Sequence, residues 1–118
     1  MGKPRIAVVG AGKVGSALAL LLNRQGYPVA GIASRSLSSA RRVADKLGVP
    51  ATVRPEEVTR EAGVVFITTP DRVISGVACR IAEKGGFLPG QVVFHTSGAH
   101  SADEVGAARS CGALAASL

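Results

Sequence analysis

Aromatic residues are scarce in this chain, which has three Phe, one Tyr and no Trp among its 118 residues. Proteins that bind single-stranded nucleic acid stack the bases on aromatic side chains, so this scarcity argues against such a surface. Acidic residues are also few, since 8 Asp and Glu stand against 14 Lys and Arg, giving a formal net charge of +6. The basic residues are scattered rather than clustered. We therefore interpret most of them as solvated surface, expect no nucleic-acid partner, and expect a smaller phosphate-rich ligand.

The chain also lacks metal-binding and membrane signals. Cys79 and Cys111 form no C-x-x-C pair, and His95 and His100 have no third ligand nearby in the sequence. These patterns predict no metal site and two reduced thiols, as in a cytoplasmic protein. No run approaches the ~20 apolar residues that span a bilayer. The first apolar run already ends at Gly10, so we expect neither a secretion signal nor a membrane partner.

Short apolar runs alternate with helical patterns along the whole chain. Strands are predicted at 6–9, 27–33, 51–53, 64–68, 92–95 and 113–117. Helices are predicted at 14–24, from Ser36 or Ser38 to 47, at 55–61, at 72–84 after an Asp71 cap, and at 101–109. This alternation is typical of right-handed βαβ units. It predicts an α/β fold with a doubly wound parallel sheet of about six strands, in the order 3-2-1-4-5-6, with helices on both faces.

A G-x-G-x-x-G motif, Gly10-Ala11-Gly12-Lys13-Val14-Gly15, joins the first strand to the first helix. Gly10 permits a tight turn, Gly12 leaves room for a pyrophosphate, and Gly15 lets the helix approach the strand closely. The free N–H groups at the start of the helix then face the anion. The motif predicts dinucleotide binding; the alternatives are a turn that binds nothing or one that binds S-adenosylmethionine.

Ser34-Arg35-Ser36 follows the second strand, about 20 residues after the glycines, where such folds contact the adenosine ribose. A carboxylate there favours NAD, whereas an arginine and two hydroxyls favour NADP. The Arg35 guanidinium can stack on adenine and pair with the 2′-phosphate, and the hydroxyls can add hydrogen bonds. Arg41 or Arg42 is a further candidate for this phosphate. The alternative is that a serine caps the next helix and the arginines are solvated.

Polar residues also follow the fourth and fifth predicted strands. Thr69 and Pro70 come after the fourth strand, and we expect them to line the ribose or nicotinamide side of the cofactor. The quartet His95-Thr96-Ser97-Gly98 follows the fifth strand. It supplies the catalytic candidates His95, as a general acid or hydrogen-bond donor, and Ser97. The alternative for His95 is a histidine satisfied by loop carbonyls.

The segments GAGKVG, ASRS, FITTPD and VVFHTSGA together resemble the DUF2520 family, oxidoreductases in which a Rossmann-like domain precedes a helical domain of unknown function. That family is similar to pyrroline-5-carboxylate reductase, to F420-dependent NADP oxidoreductases and to the 6-phosphogluconate dehydrogenase superfamily. The resemblance implies that Gly10, Gly12, Lys13, Val14 and Gly15 bind the pyrophosphate, Ser34, Arg35 and Ser36 the 2′-phosphate, and Thr69 and Pro70 the nicotinamide half. Lys13 departs from the neutral residue common in related reductases, so it either adds charge there or points to solvent.

The last residues, 115–118, look like the inside of a strand. We therefore expect residues 1–118 to be the N-terminal, dinucleotide-binding domain of a longer protein. The resemblance implies that an absent C-terminal helical domain completes the substrate site and a homodimer. We expect an NADP-dependent oxidoreductase acting on a small carbonyl or imine substrate; the alternative is a non-catalytic nucleotide-sensing module.

Overall fold

A six-stranded parallel sheet forms the centre of the protein, whose computed structural model describes residues 2–96 and 106–117. The strands are β1 (Ile6–Val9), β2 (Val29–Ala33), β3 (Ala51–Thr52), β4 (Val64–Ile67), β5 (Val92–His95) and β6 (Leu114–Ser117). They pair in the order β3-β2-β1-β4-β5-β6, and every pairing is parallel. The predicted strand order is thus confirmed.

Helices connect the strands and cover both faces of the sheet. They are α1 (Lys13–Arg24), α2 (Leu37–Leu47), α3 (Glu56–Thr59), α4 (Ile74–Glu83) and α5 (Gly106–Ser110), with a 3₁₀ turn at Asp71–Val73 before α4. In β1, Ile6 and Val8 pack with residues of α1 and α2, whereas Ala7 and Val9 pack with residues of α3, α4 and α5. Because both faces are covered, the central strands β1, β2 and β4 have no polar side chain at any position, rather than polar ones at alternate positions.

Several elements differ from the sequence prediction in their bounds, among them the shorter α3, and two of the differences have a clear physical reason. Strand β2 begins at Val29 rather than at residue 27, because Pro28 has no N–H to donate; its carbonyl accepts a hydrogen bond from Ile6 N at 2.9 Å. The helix predicted at 72–84 begins instead with a 3₁₀ turn, in which Val73 N donates to Pro70 O at 3.0 Å. Such turns are frequent at the start of helices.

Some predicted features fall outside the described residues. They are the first part of the helix predicted at 101–109, together with Ser97 and His100. The Asp71 side chain is also not described, so its predicted capping role stays a prediction. Within 2–96 and 106–117, no helix is long and apolar enough to cross a membrane.

Buried Gln91 ties the start of β5 to the end of α3. Its side-chain nitrogen donates to Thr59 O at 2.6 Å and to Ala62 O at 2.9 Å, and its oxygen accepts from Leu88 N at 2.9 Å. The residue is 3% exposed, so these hydrogen bonds replace ones that water would otherwise make. This contact fixes the end of α3 relative to β5.

Candidate functional site

A cleft of about 520 Å³ opens where β1 and β4 lie side by side. The chain runs from β1 to β2 and β3 on one side of the sheet, then crosses to β4 on the other side. Ligands of open α/β sheets bind at this kind of switch in strand order. The predicted site residues that line the cleft are Gly10, Gly12, Lys13, Val14, Ser34, Arg35, Thr69 and Pro70.

The turn between β1 and α1 is close-packed at two of its glycines. Gly10 has a φ of +120°, and a Cβ on it would lie 2.6 Å from Thr68 Oγ1. A Cβ on Gly15 would lie 2.0 Å from Gly10 O. Thr68 Oγ1 completes the contact by donating to Gly10 O at 3.0 Å. Gly15 is buried and does not line the cleft, so its part in the turn is close packing of the helix on the strand.

Gly12 differs, because a Cβ placed on it would meet no atom within 4 Å. It is the N-cap of α1, no side chain caps the helix there, and the first turn contains no acidic residue. The first N–H groups of a helix have no partner within the helix. An uncapped helix start beside open space therefore fits the pyrophosphate of a dinucleotide, with the N–H groups as donors.

The segment after β2 is divided between the cleft and the next helix. Ser34 and Arg35 line the cleft, and Arg35 is exposed. Ser36 does not line it: its hydroxyl accepts from Ser39 N at 3.4 Å as the N-cap of α2 and lies 2.8 Å from Ser38 Oγ. No Asp or Glu is among the described residues that line the cleft. This end of the cleft thus presents a guanidinium and a hydroxyl, a set of donors that could bind a phosphate group.

The segments after β4 and β5 form the opposite end of the cleft. Thr69 and Pro70 line it, together with Thr96. Thr69 Oγ1 is buried, and no hydrogen-bond partner is found for it within the part of the chain that the structure describes. A buried hydroxyl without a partner is uncommon. It offers a hydrogen-bonding group to a ligand at this end.

His95 is placed differently from its neighbour Thr96. Alternation along β5 puts His95 on the same face as Val93, which packs with α4 and α5. Its side chain is 0% exposed and does not line the cleft. Neither ring nitrogen has a hydrogen-bond partner among the described residues, so the predicted loop-carbonyl contacts are not seen there. Ser97 lies outside the described residues, so its catalytic role stays a prediction. The catalytic role of His95 also stays a prediction.

Sequence reasoning missed one wall of the cleft. This wall consists of Val53, Pro55, Val77 and Arg80. Thr96, at the other end of the cleft, was predicted only as a member of the quartet after the fifth strand. Arg80 forms an ion pair with Glu56, which is largely buried. Val77 and Arg80 are three residues apart, so helical spacing puts them on one face of α4; that spacing was the available signal. What it cannot show is that this face of α4 meets α3.

Solved structures similar to this chain include an NADP oxidoreductase, a dehydrogenase and a reductase. A candidate NADP oxidoreductase from Bacteroides fragilis shares 27% identity over 86% of this chain, with a TM-score of 0.77. The 3-hydroxyisobutyrate dehydrogenase of Mycobacterium tuberculosis shares 22% over 95%, with a TM-score of 0.79. An imine reductase from Bacillus cereus shares 22% over 93%, with a TM-score of 0.73. The chain spans 38% of the length of each of these proteins.

No curated protein matches the sequence. One protein-family model does, and its match extends over residues 2–118. The match includes the glycine turn, the cleft and all six strands. The chain therefore belongs to the Rossmann-like domain family.

Proposed function

We propose that this chain is the NADP(H)-binding domain of an oxidoreductase that transfers a hydride between nicotinamide and a small carbonyl or imine substrate. The observation that carries the proposal is the composition of the cleft. An uncapped helix start faces open space at Gly12, and Arg35 lines the same cleft without a carboxylate beside it. A helix N-terminus suits the pyrophosphate, and a guanidinium suits the 2′-phosphate.

Each part of the cleft has a binding role in this proposal. The backbone of the turn from Gly10 to Gly15, with Lys13 at its rim, holds the pyrophosphate. Ser34 and Arg35 hold the 2′-phosphate. Ser36 does not contact the phosphate directly in this proposal. It supports Ser34 and Arg35 by capping the start of α2. Thr69 and Pro70 contact the nicotinamide half, where the cofactor supplies hydride chemistry at C4.

The similar proteins support an oxidoreductase without fixing its substrate. The name of the Bacteroides fragilis protein includes NADP, and the Bacillus cereus protein is an imine reductase. Because the chain spans 38% of each, we assign the reaction to a longer protein. In it, a helical domain like that of the DUF2520 family would complete the substrate site and a homodimer. A cytoplasmic location belongs to the same proposal.

A non-catalytic nucleotide sensor is the second candidate, and one observation favours it. The polar side chains that line the cleft are hydroxyls and cations, namely Ser34, Thr68, Thr69, Thr96, Lys13, Arg35 and Arg80. None of these described residues is a carboxyl, an imidazole or a thiol, the groups that most often transfer protons in enzymes. Oxidation of NADPH by the full-length protein, followed by absorbance across small carbonyl and imine substrates, separates the two candidates. Binding without turnover on any of them favours the sensor.

Separate calorimetric titrations with NADP⁺, NADPH, NAD⁺ and NADH test the cofactor assignment. We expect the phosphorylated pair to bind more tightly, because the 2′-phosphate adds charge-assisted hydrogen bonds to Arg35. Equal affinity for both pairs contradicts the 2′-phosphate site. Absence of binding to all four contradicts the dinucleotide site itself.

A further inference from the structure

Glu56 and Arg80 form an ion pair at one wall of the cleft. Neither residue has a role in the proposed function. Glu56 is the first residue of α3, and its side chain is 8% exposed; Arg80 belongs to α4, and its side chain is 50% exposed. Arg80 Nε lies 3.5 Å from Glu56 Oε1. Glu56 Oε1 has no hydrogen bond to any residue that the structure describes. A carboxylate this buried is costly unless a cation accompanies it, so the pair holds the Arg80 side chain against α3.

The pair places a guanidinium at the end of the cleft nearest β2 and β3. Pro55, which precedes Glu56, lines the cleft beside Val53 from the segment after β3. Val77 precedes Arg80 by one helical turn and lines the cleft as well. Since β3 is the neighbour of β2 in the sheet, this apolar wall is on the side of Arg35. That side is the adenosine half of the proposed dinucleotide site.

The chemistry of this wall suits a flat aromatic ring better than a phosphate. Guanidinium planes stack on aromatic rings, and apolar side chains extend the contact surface. The neighbouring carboxylate of Glu56 offsets the charge of Arg80. Arg35 has no acidic partner among residues 2–96 and 106–117, so its charge remains available for a phosphate. The two arginines therefore differ in what they can recognise.

We infer that Arg80 binds the adenine ring of the cofactor and that Glu56 is the positioning residue that holds its guanidinium in the cleft. The inference rests on the proposed function. It predicts that Arg80 contributes equally to NADPH and NADH, since both contain adenine. Arg35, in contrast, contributes mainly to NADPH, through the 2′-phosphate.

Calorimetric dissociation constants for NADPH and NADH test this division of roles. We expect Arg80→Ala to weaken both cofactors by a similar factor of about five- to twentyfold, from loss of a cation–aromatic contact. Arg24→Ala is the matched control, because Arg24 is an exposed arginine in the last turn of α1, at the end opposite the glycine turn. We expect this control to bind both cofactors as the wild type does. Thermal unfolding of each variant confirms that it is folded.

A double-mutant cycle tests the positioning role of Glu56. We expect Glu56→Gln to weaken both cofactors by about threefold, a part of the Arg80 effect, and to have no further effect when Arg80 is already alanine. If Glu56→Gln does not fold, Glu56→Asp keeps the charge on a shorter side chain and is measured in the same two backgrounds. An equal loss of affinity in both backgrounds shows that Glu56 acts through the fold and overturns its positioning role.

Other outcomes separate this inference from the proposed function. If Arg35→Ala selectively weakens NADPH while Arg80→Ala behaves like Arg24→Ala, the adenine assignment is wrong and the proposed function stands. If Arg80→Ala weakens NADPH alone, Arg80 is a phosphate ligand and the adenine assignment is again wrong. A wild-type protein that binds neither dinucleotide overturns the proposed function, and this inference with it.

Discussion

Gly12→Ala and Gly15→Ala should affect different properties, cofactor binding and fold stability respectively, although the two glycines are three residues apart in one turn. A Cβ on Gly15 would lie 2.0 Å from Gly10 O and 2.4 Å from Thr68 Oγ1. The first of these atoms belongs to the backbone, so no side-chain rotation relieves the clash. A Cβ on Gly12 would meet nothing within 4 Å. Gly15→Ala should therefore destabilise the fold, whereas Gly12→Ala should leave the fold intact and reduce cofactor binding.

The magnitudes follow from these distances. Overpacking against a fixed backbone atom costs about 3 kcal/mol, which for a domain of this size lowers the melting temperature by about 10 °C. Gly12→Ala changes only an exposed N-cap, at a cost below about 1 kcal/mol. It places a methyl group where the pyrophosphate must approach the helix start. Loss of a hydrogen bond to a charged group weakens binding by about 1.5–3 kcal/mol, or roughly ten- to a hundredfold. Gly12→Val should abolish binding.

Circular dichroism melts and NADPH titrations by calorimetry measure the two effects separately. Gly76→Ala is the matched control, because Gly76 lies in α4, has open space around it and does not line the cleft. It should bind NADPH unchanged. Wild-type affinity in both Gly12 variants would refute the pyrophosphate assignment. A Gly15→Ala protein with the same melting temperature as the wild type would refute the packing argument for the turn.

Two further changes test the ribose end of the cleft and the support beneath it. Arg35→Ala should weaken NADPH by about 1.5–3 kcal/mol, through loss of a charge-assisted contact, and leave NADH within about twofold; equal losses for both cofactors in calorimetry contradict the 2′-phosphate role. Gln91→Leu leaves the carbonyls of Thr59 and Ala62 without their donor, and should lower the unfolding free energy by about 2–4 kcal/mol in urea titrations. Gln25→Leu, at an exposed position, is its control. If both changes lower the unfolding free energy by a similar small amount, the buried hydrogen bonds contribute little to stability.

The fold could be predicted from the sequence because its signals are local. The apolar runs that became β1, β4 and β5 are continuous, as strands covered on both faces must be. The spacing of Gly10, Gly12 and Gly15 fixes the strand-turn-helix connection, and Ser36 was one of the two caps predicted for α2. The strand order then follows from general rules for βαβ connections. Each of these inferences uses residues that are neighbours in sequence.

The missed features are contacts between segments that are distant in sequence. Glu56 and Arg80 are 24 positions apart and meet only because α3 and α4 lie on the same face of the sheet. Gln91 reaches back 32 residues to Thr59. In a single sequence, a glutamate in a short helix predicts an exposed side chain, so nothing marks it as buried. The burial of His95 was missed for a related reason, because a residue at a strand end can turn either toward the cleft or toward a helix.

The described side chains that line the cleft are suited to binding a cofactor rather than to catalysing a reaction on it. The groups that we assign to the cofactor are backbone N–H groups, hydroxyls, guanidinium groups and the ammonium of Lys13, which bind and orient it. Among the described residues, His95 has the one imidazole, and it lies on the sheet face that packs with α4 and α5 and does not line the cleft. Because no carboxyl, imidazole or thiol is among the described residues that line the cleft, we expect the proton donor of the reaction to lie outside that lining. On this argument the 118-residue chain alone should bind NADPH in calorimetry and yet oxidise it little or not at all with any carbonyl or imine. Steady turnover by this chain would show that the proton donor lies within residues 1–118 and would refute this expectation.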